Sequence, residues 1–135
     1  MPEIRSRLDP RRFLLLAGPL LILLGGLGLT GLLGTISTMA FFHPPEWINW
    51  VHLIAGLMVL AAGLFAIASM QARIVMVPAI VGTTIGVLGL ILGPTAAIRW
   101  DLPELADPSD HLVHLTVGLL AGWAWLNRRQ RFDER

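Results

Sequence analysis

Long stretches without charged residues dominate the pattern of apolar and polar positions along this chain of 135 residues. Three such runs cover residues 13–43, 47–72 and 74–98, and a shorter one covers 112–127. A transmembrane helix needs about 20 largely apolar residues, so each of the first three runs is long enough to cross a bilayer. The fourth reaches that length if its helix begins near Pro108. The pattern predicts four transmembrane helices at about 13–40, 45–70, 74–98 and 108–127.

The connections between the predicted helices are too short to form a soluble domain. They cover residues 44–46, 70–73 and 99–107. Charged residues make up 14% of the chain, against about 25% in soluble domains. We therefore expect residues 1–135 to form a single all-α domain in the membrane.

Charge is distributed unevenly between the two sides that four helices would define. The two tails and the 70–73 connection fall on one side, which carries Arg5, Arg7, Arg11, Arg12, Arg73, Arg128, Arg129, Arg131 and Arg135. The other side carries Arg99 and the acidic residues Glu46, Asp101, Glu104, Asp107 and Asp110. Because cytoplasmic segments collect Lys and Arg, the distribution predicts that both termini are cytoplasmic. We expect the location to be the bacterial cytoplasmic membrane.

The second half of the chain repeats features of the first half. Arg11 aligns with Arg73, Gly31 with Gly93, and Val51-His52-Leu53 with Val113-His114-Leu115. Each copy contains two predicted helices, so the copies have the same orientation and form two parallel-repeat helical hairpins. Equivalent residues then lie at equal depth, which places His52 and His114 about 9 to 10 Å from the outer helix ends.

Glycines at spacings of four residues mark the predicted contacts between helices. In a bilayer, small residues allow helix backbones to approach closely. The helix-packing candidates are Gly82, Gly86, Gly89, Gly93, Gly118 and Gly122. Most of them lie in the third helix, which we expect to be the most buried.

The four histidines, His43, His52, His111 and His114, all fall in or near the outer half of the predicted bundle. Neutral imidazole is a ligand for metals and haem, and helical bundles hold such groups between facing helices. One hypothesis is a haem or chlorin bound by His52 and His114, and another is a metal site formed by His52, His111 and His114. The alternative is that these histidines only form hydrogen bonds to neighbouring helices or loops.

The remaining chemistry in the sequence disfavours an enzyme. There is no cysteine, no charged residue near the centre of a predicted helix, and no hydrolase or metalloprotease motif. The basic tails have too few charges and no interleaved aromatic residues for nucleic-acid binding. We predict a non-enzymatic accessory or scaffolding subunit, whose partners are the lipid bilayer and either other membrane proteins or further copies of itself. A channel or lipid-interacting protein is a further alternative.

The two histidine segments carry a resemblance to a known family. Asn49-Trp50-Val51-His52-Leu53 before Gly56, and Asp110-His111-Leu112-Val113-His114-Leu115 before Gly118, resemble the paired motifs of the bacterial membrane family catalogued as domain of unknown function 4383. The resemblance covers nearly the whole chain and implies a four-helix membrane fold. That family has no established activity, so the resemblance implies no site beyond the repeated histidine.

Overall fold

The computed structural model describes residues 8–32, 46–100 and 108–128, and these residues are helical apart from short turns. The helices in these ranges are α1 (Pro10–Leu29), α2 (Glu46–Phe65), α3 (Ala68–Trp100) and α4 (Pro108–Leu126). The prediction of an all-α chain is therefore confirmed for the described residues. Within them, α1, α2 and the Ala68–Gly93 part of α3 are long and apolar enough to cross a membrane, which indicates an integral membrane protein.

α1 begins and ends earlier than the predicted helix at 13–40. Asp9 caps its start by accepting a hydrogen bond of 2.9 Å from the backbone N–H of Arg12, and Pro10 occupies the first helical position. At the other end, the Thr30 and Gly31 N–H groups bond to the carbonyls of Gly26 and Gly28. Gly31 has a φ of 70°, a left-handed conformation that commonly terminates helices. The helix therefore ends at Leu29, and residues 33–40 of the predicted helix lie outside the described residues.

The break between α2 and α3 also lies earlier than predicted. Residues 70–73 were expected to form the connection, but they belong to the start of α3, and the chain turns at Ala66–Ile67. The side chain of Gln71, which is 4% exposed, donates hydrogen bonds of 3.2 Å to the carbonyls of Ala62 and Gly63. These carbonyls belong to the last turn of α2, where helix carbonyls generally lack backbone partners, although that of Ala62 also accepts from the backbone N–H of Ala66 at 3.1 Å. Gln71 therefore fastens the start of α3 to the end of α2.

Two helical hairpins form the main contacts, because α1 packs along α2 and α3 packs along α4. In the first hairpin, a Cβ atom added at Gly25 would lie 2.6 Å from Leu53 N. In the second, a Cβ atom added at Gly86 would lie 2.6 Å from Leu115 N. Side chains do not fit at these distances, so both pairs of helices are in backbone contact, as expected for packing through small residues.

The two hairpins meet in an apolar cluster at one end of the bundle. Its buried members are Phe13, Leu14, Val75, Ala121 and Ala124, and Val59, Ala62 and Trp125 pack against them. We call this the arginine end, because Arg11, Arg12, Arg73 and Arg128 lie at the same end of the helices. The opposite end, where α2 and α4 begin, contains His52, His111 and His114 and is called the histidine end.

The expectation that the third helix is the most buried is wrong. Along their apolar spans, a smaller share of α3 is buried than of α1. Val75 of α3 is fully buried in the cluster at the arginine end, whereas Ile80 and Ile91 further along are 60% and 67% exposed. The reason is that the glycines of α3 form a single contact face, which α4 occupies.

Several predicted features lie outside the described residues. They are residues 1–7 and 129–135 with the arginines Arg5, Arg7, Arg129, Arg131 and Arg135, the helix start at residues 43–45 with His43, and the acidic connection at residues 101–107. The sidedness derived from these charges therefore stays a prediction.

Candidate functional site at the histidine end

His114 is oriented by the first turn of its own helix. Its Nδ1 atom lies 2.9 Å from the backbone carbonyl oxygen of Asp110 and 3.5 Å from the carboxylate oxygen Oδ1 of the same residue. A carbonyl oxygen only accepts hydrogen bonds, so in the neutral imidazole Nδ1 donates and Nε2 keeps its lone pair. A metal-ligating histidine is commonly held in this way, by a bond from its other ring nitrogen to a carbonyl or carboxylate.

His52 lies on α2, close enough to His114 and Asp110 to interact with both electrostatically. Its Nδ1 atom is buried and has no hydrogen-bond partner among the described residues. A buried polar atom without a hydrogen-bond partner costs free energy. Such atoms in a native structure are often found at functional sites. His52 and His114, which the sequence placed at equal depth, therefore lie at the same end of the bundle. Their use as a joint ligand site stays a prediction.

His111 lies in the contact between α3 and α4. It is 5% exposed, and its imidazole ring lies against Gly89 of α3, in the space that a Cβ atom at position 89 would need. Asn49, which is 4% exposed, has the same relationship to Gly28 in the first hairpin. His111 and Asn49 therefore help to form the helix contacts within each hairpin.

The proposed three-histidine metal site is not formed by this arrangement. Across residues 8–32, 46–100 and 108–128, no group of three or more His, Asp or Glu side chains is arranged to hold a metal ion. His52 and His114 remain as a pair of imidazoles at one end of the bundle, with His111 turned into the α3–α4 contact.

The predicted packing glycines occupy three different environments. Gly82, Gly86, Gly89 and Gly118 lie in the contact between α3 and α4, and an added Cβ atom would meet the facing helix at each of them. Gly93 is buried. Gly122 faces open space, because no atom of the described residues lies within 4 Å of an added Cβ. Gly122 is therefore accessible from outside the described part of the chain.

The polar residues that join the helices at the arginine end were not predicted from the sequence. Gln71 was assigned to a turn, and Arg11 was used as a charge and as a repeat match to Arg73. In the structure Arg11 Nε donates a hydrogen bond of 3.3 Å to the Gly63 carbonyl, beside the bonds from Gln71. In the sequence, the signal for such a bond is a side-chain amide, here that of Gln71, at the edge of an apolar run.

Comparison with protein-family models, curated proteins and solved structures finds no match to the chain. The resemblance to the family catalogued as domain of unknown function 4383 therefore stays a prediction.

Proposed function

We propose that the protein is a non-enzymatic four-helix subunit of a larger assembly in the bacterial cytoplasmic membrane. The observation that carries this proposal is the position of Gly122, which faces open space on α4 between the exposed side chains of Leu119 and Leu126. A surface glycine flanked by leucines allows the backbone of another helix to approach closely in a bilayer. Gly26 of α1 also has no atom within 4 Å of an added Cβ.

The proposal includes a fourth membrane span formed by α4. Its 19 residues give a length of about 28 Å, close to the hydrocarbon thickness of about 30 Å. Among the described helices α4 alone falls short of the apolar character of a membrane span, because its first turns carry Asp110, His111 and His114. Its packing along α3, together with the exposed Trp123 near its end, supports a membrane location. With four spans, the arginine end is the cytoplasmic end and both termini are cytoplasmic.

We also propose that the two hairpins are copies of one unit. The contact of Asn49 with Gly28 in the first hairpin corresponds to the contact of His111 with Gly89 in the second. In the same way, the contact of Leu53 with Gly25 corresponds to that of Leu115 with Gly86. Equivalent residues on α2 and α4 are 62 positions apart, whereas the equivalent glycines on α1 and α3 are 61 apart. The alignment of Arg11 with Arg73 assumed a spacing of 62 residues between the two copies along their whole length. The contacts instead favour an alignment in which the first helix of the unit is shifted by one residue.

The subunit proposal is tested by the size of the native particle in mild detergent and by substitutions on the exposed surface. Gly122→Leu fills the accessible position on α4, and Ala61→Leu enlarges an exposed residue on α2 as the matched control. We expect the wild-type protein and Ala61→Leu to elute in an assembly larger than one chain, and Gly122→Leu to elute as the separate chain. Recovery of the wild-type protein as a lone chain across several detergents would overturn the proposal.

A second candidate function is the binding of a tetrapyrrole or metal centre by His52 and His114. The observation that favours it is the orientation of His114 by Asp110, which leaves Nε2 available as a ligand. Absorption spectroscopy and metal analysis of protein from its native source test this function. A Soret band that is lost in both His52→Ala and His114→Ala supports it, and colourless, metal-free protein removes it.

A further inference from the structure

A small pocket at the arginine end is formed where all three described segments of the chain meet. It is lined by Asp9, Pro10, Arg11, Ala68, Gln71, Asn127 and Arg128. These residues come from the start of α1, the junction of α2 with α3, and the end of α4. The pocket therefore exists only when the two hairpins are packed together.

Both arginines of the pocket are held in place by contacts to helix ends. Arg128 lies over the ring of Trp125, with its guanidinium carbon 3.3 Å from the ring centroid, and its Nη1 donates a hydrogen bond of 2.9 Å to the Trp125 carbonyl. Arg11 donates through Nε to the Gly63 carbonyl. A guanidinium has five N–H donors, so among the described residues each of these arginines uses only part of its donor set.

The other polar groups of the pocket already have partners within the protein. Asp9 accepts from the Arg12 backbone N–H, and its Oδ2 lies 4.0 Å from Arg12 Nε. The side-chain amide of Gln71 donates to α2, and that of Asn127 donates over 3.1 Å to the Leu8 carbonyl. The pocket thus offers cationic donors from Arg11 and Arg128, while its one described carboxylate is engaged by Arg12.

We propose that this pocket binds the phosphate group of an anionic membrane lipid between Arg11 and Arg128. Guanidinium groups match phosphate oxygens in charge and in their paired geometry. Basic pockets between helix ends on the cytoplasmic side of membrane proteins are suited to anionic headgroups. The inference rests on the membrane location and on the cytoplasmic position of the arginine end proposed above, and it is independent of the subunit role.

The surroundings of the pocket favour a lipid over a free phosphate ion, although the phosphate chemistry is shared. Phe65 and Ile67, three residues and one residue before Ala68 in the chain, are 83% and 72% exposed, and Leu126, next to Asn127, is 62% exposed. These apolar side chains offer acyl chains a surface adjoining the phosphate. A free phosphate ion would gain nothing from them.

The test uses the full-length protein in phosphatidylcholine nanodiscs with increasing phosphatidylglycerol, and native mass spectrometry of the retained lipid. We expect Arg11→Gln/Arg128→Gln to weaken phosphatidylglycerol retention about tenfold, since each loss removes charge-assisted hydrogen bonds. The matched control is Arg73→Gln, which removes an exposed arginine at the same end outside the pocket lining. Equal losses in the control and the double variant, or no loss in either, overturn the proposal.

A gain-of-affinity variant separates the proposal from misfolding of the double variant. Asp9→Asn removes the pocket's negative charge and keeps a good helix-capping side chain. We expect it to strengthen phosphatidylglycerol retention by about threefold, because one repulsive charge near the phosphate is removed. Unchanged or weaker retention contradicts the proposal. Displacement of the lipid by millimolar inorganic phosphate would show that the site binds a free phosphate ion. That result would overturn the proposal that the pocket binds a lipid.

Discussion

The imidazole ring of His111 on α4 occupies the space beside Gly89 of α3 that any larger residue at position 89 would need for its Cβ atom. Gly28 of α1 and Asn49 of α2 have the same relationship in the other hairpin. In each hairpin, a buried polar side chain from the helix that begins at the histidine end fits against a glycine of its neighbour. This contact fixes the distance between the paired helices near that end.

The Gly89–His111 contact predicts a substitution that can be rescued. Gly89→Ala is expected to destabilise the protein by about 1 to 3 kcal/mol, because the added methyl group overlaps the buried ring. His111→Ala in the same chain removes the ring and should recover most of that loss. Free energies of unfolding in detergent micelles, measured for both single variants and the double variant, provide the coupling between the two positions. Additive effects in this cycle would show that the contact does not form.

Two glycines of α4, four residues apart, should respond in opposite ways to the same change. A Cβ atom at Gly118 would lie 2.6 Å from Thr83 Oγ1 and even nearer to the backbone of α3, whereas a Cβ atom at Gly122 meets nothing within 4 Å. Gly118→Ala should therefore lower the unfolding temperature, with a loss of about 2 kcal/mol or more because backbone atoms must move. Gly122→Ala should leave it unchanged or raise it slightly, since alanine favours helix by up to about 1 kcal/mol. Similar losses in the two variants would contradict the described packing of α4 on α3.

Gln71 is expected to be the most sensitive polar residue at the junction of α2 and α3. Its amide donates to the carbonyls of Ala62 and Gly63, and it is 4% exposed. Gln71→Leu keeps a side chain of similar size but leaves these carbonyls with fewer donors, at a cost of about 1 to 3 kcal/mol.

The control for this prediction is Ser69→Ala, which changes an exposed polar residue two positions earlier. Amide hydrogen exchange in the last turn of α2 provides a local measurement. It should accelerate in Gln71→Leu and stay as in the wild type in Ser69→Ala. Equal exchange in all three proteins would mean that the side-chain bonds contribute nothing to holding α2.

The sequence was sufficient to predict the helices and their pairing, but it did not locate their ends. Charge-free runs identify buried or lipid-facing segments, and within the 47–72 run no Gly, Pro or charged residue occurs in residues 64–72, where the chain turns at Ala66 and Ile67. Hydropathy therefore has no signal there, and the turn depends on Gln71 bonding back to α2. The end of α1 at Leu29 depends on the left-handed conformation of Gly31, one of several glycines that look alike in the sequence.

The candidate site was predicted in part for a similar reason. Equal depth in two repeated segments was enough to expect His52 and His114 at the same end of the bundle, whereas their joint use as ligands stays a prediction. The side chain of His111 contacts Gly89 because of the rotation of α4 about its own axis. Sequence spacing alone does not determine that rotation. The exposure of α3 was also not predictable from its glycines, because a row of small residues shows that a helix has a contact face but not how many neighbours it has.

Membrane sidedness can be tested with single cysteines, because the chain contains none of its own. Ser109 and Ser69 are both exposed, Ser109 at the start of α4 and Ser69 at the start of α3. In intact cells, a membrane-impermeant maleimide should label Ser109→Cys and leave Ser69→Cys unlabelled until the cells are permeabilised. A cysteine added after Arg135 should behave like Ser69→Cys. This outcome follows if α4 crosses the bilayer and the arginine end faces the cytoplasm, because cytoplasmic segments collect arginine. Labelling of Ser109→Cys and the added cysteine from the same side would show that α4 does not span the membrane.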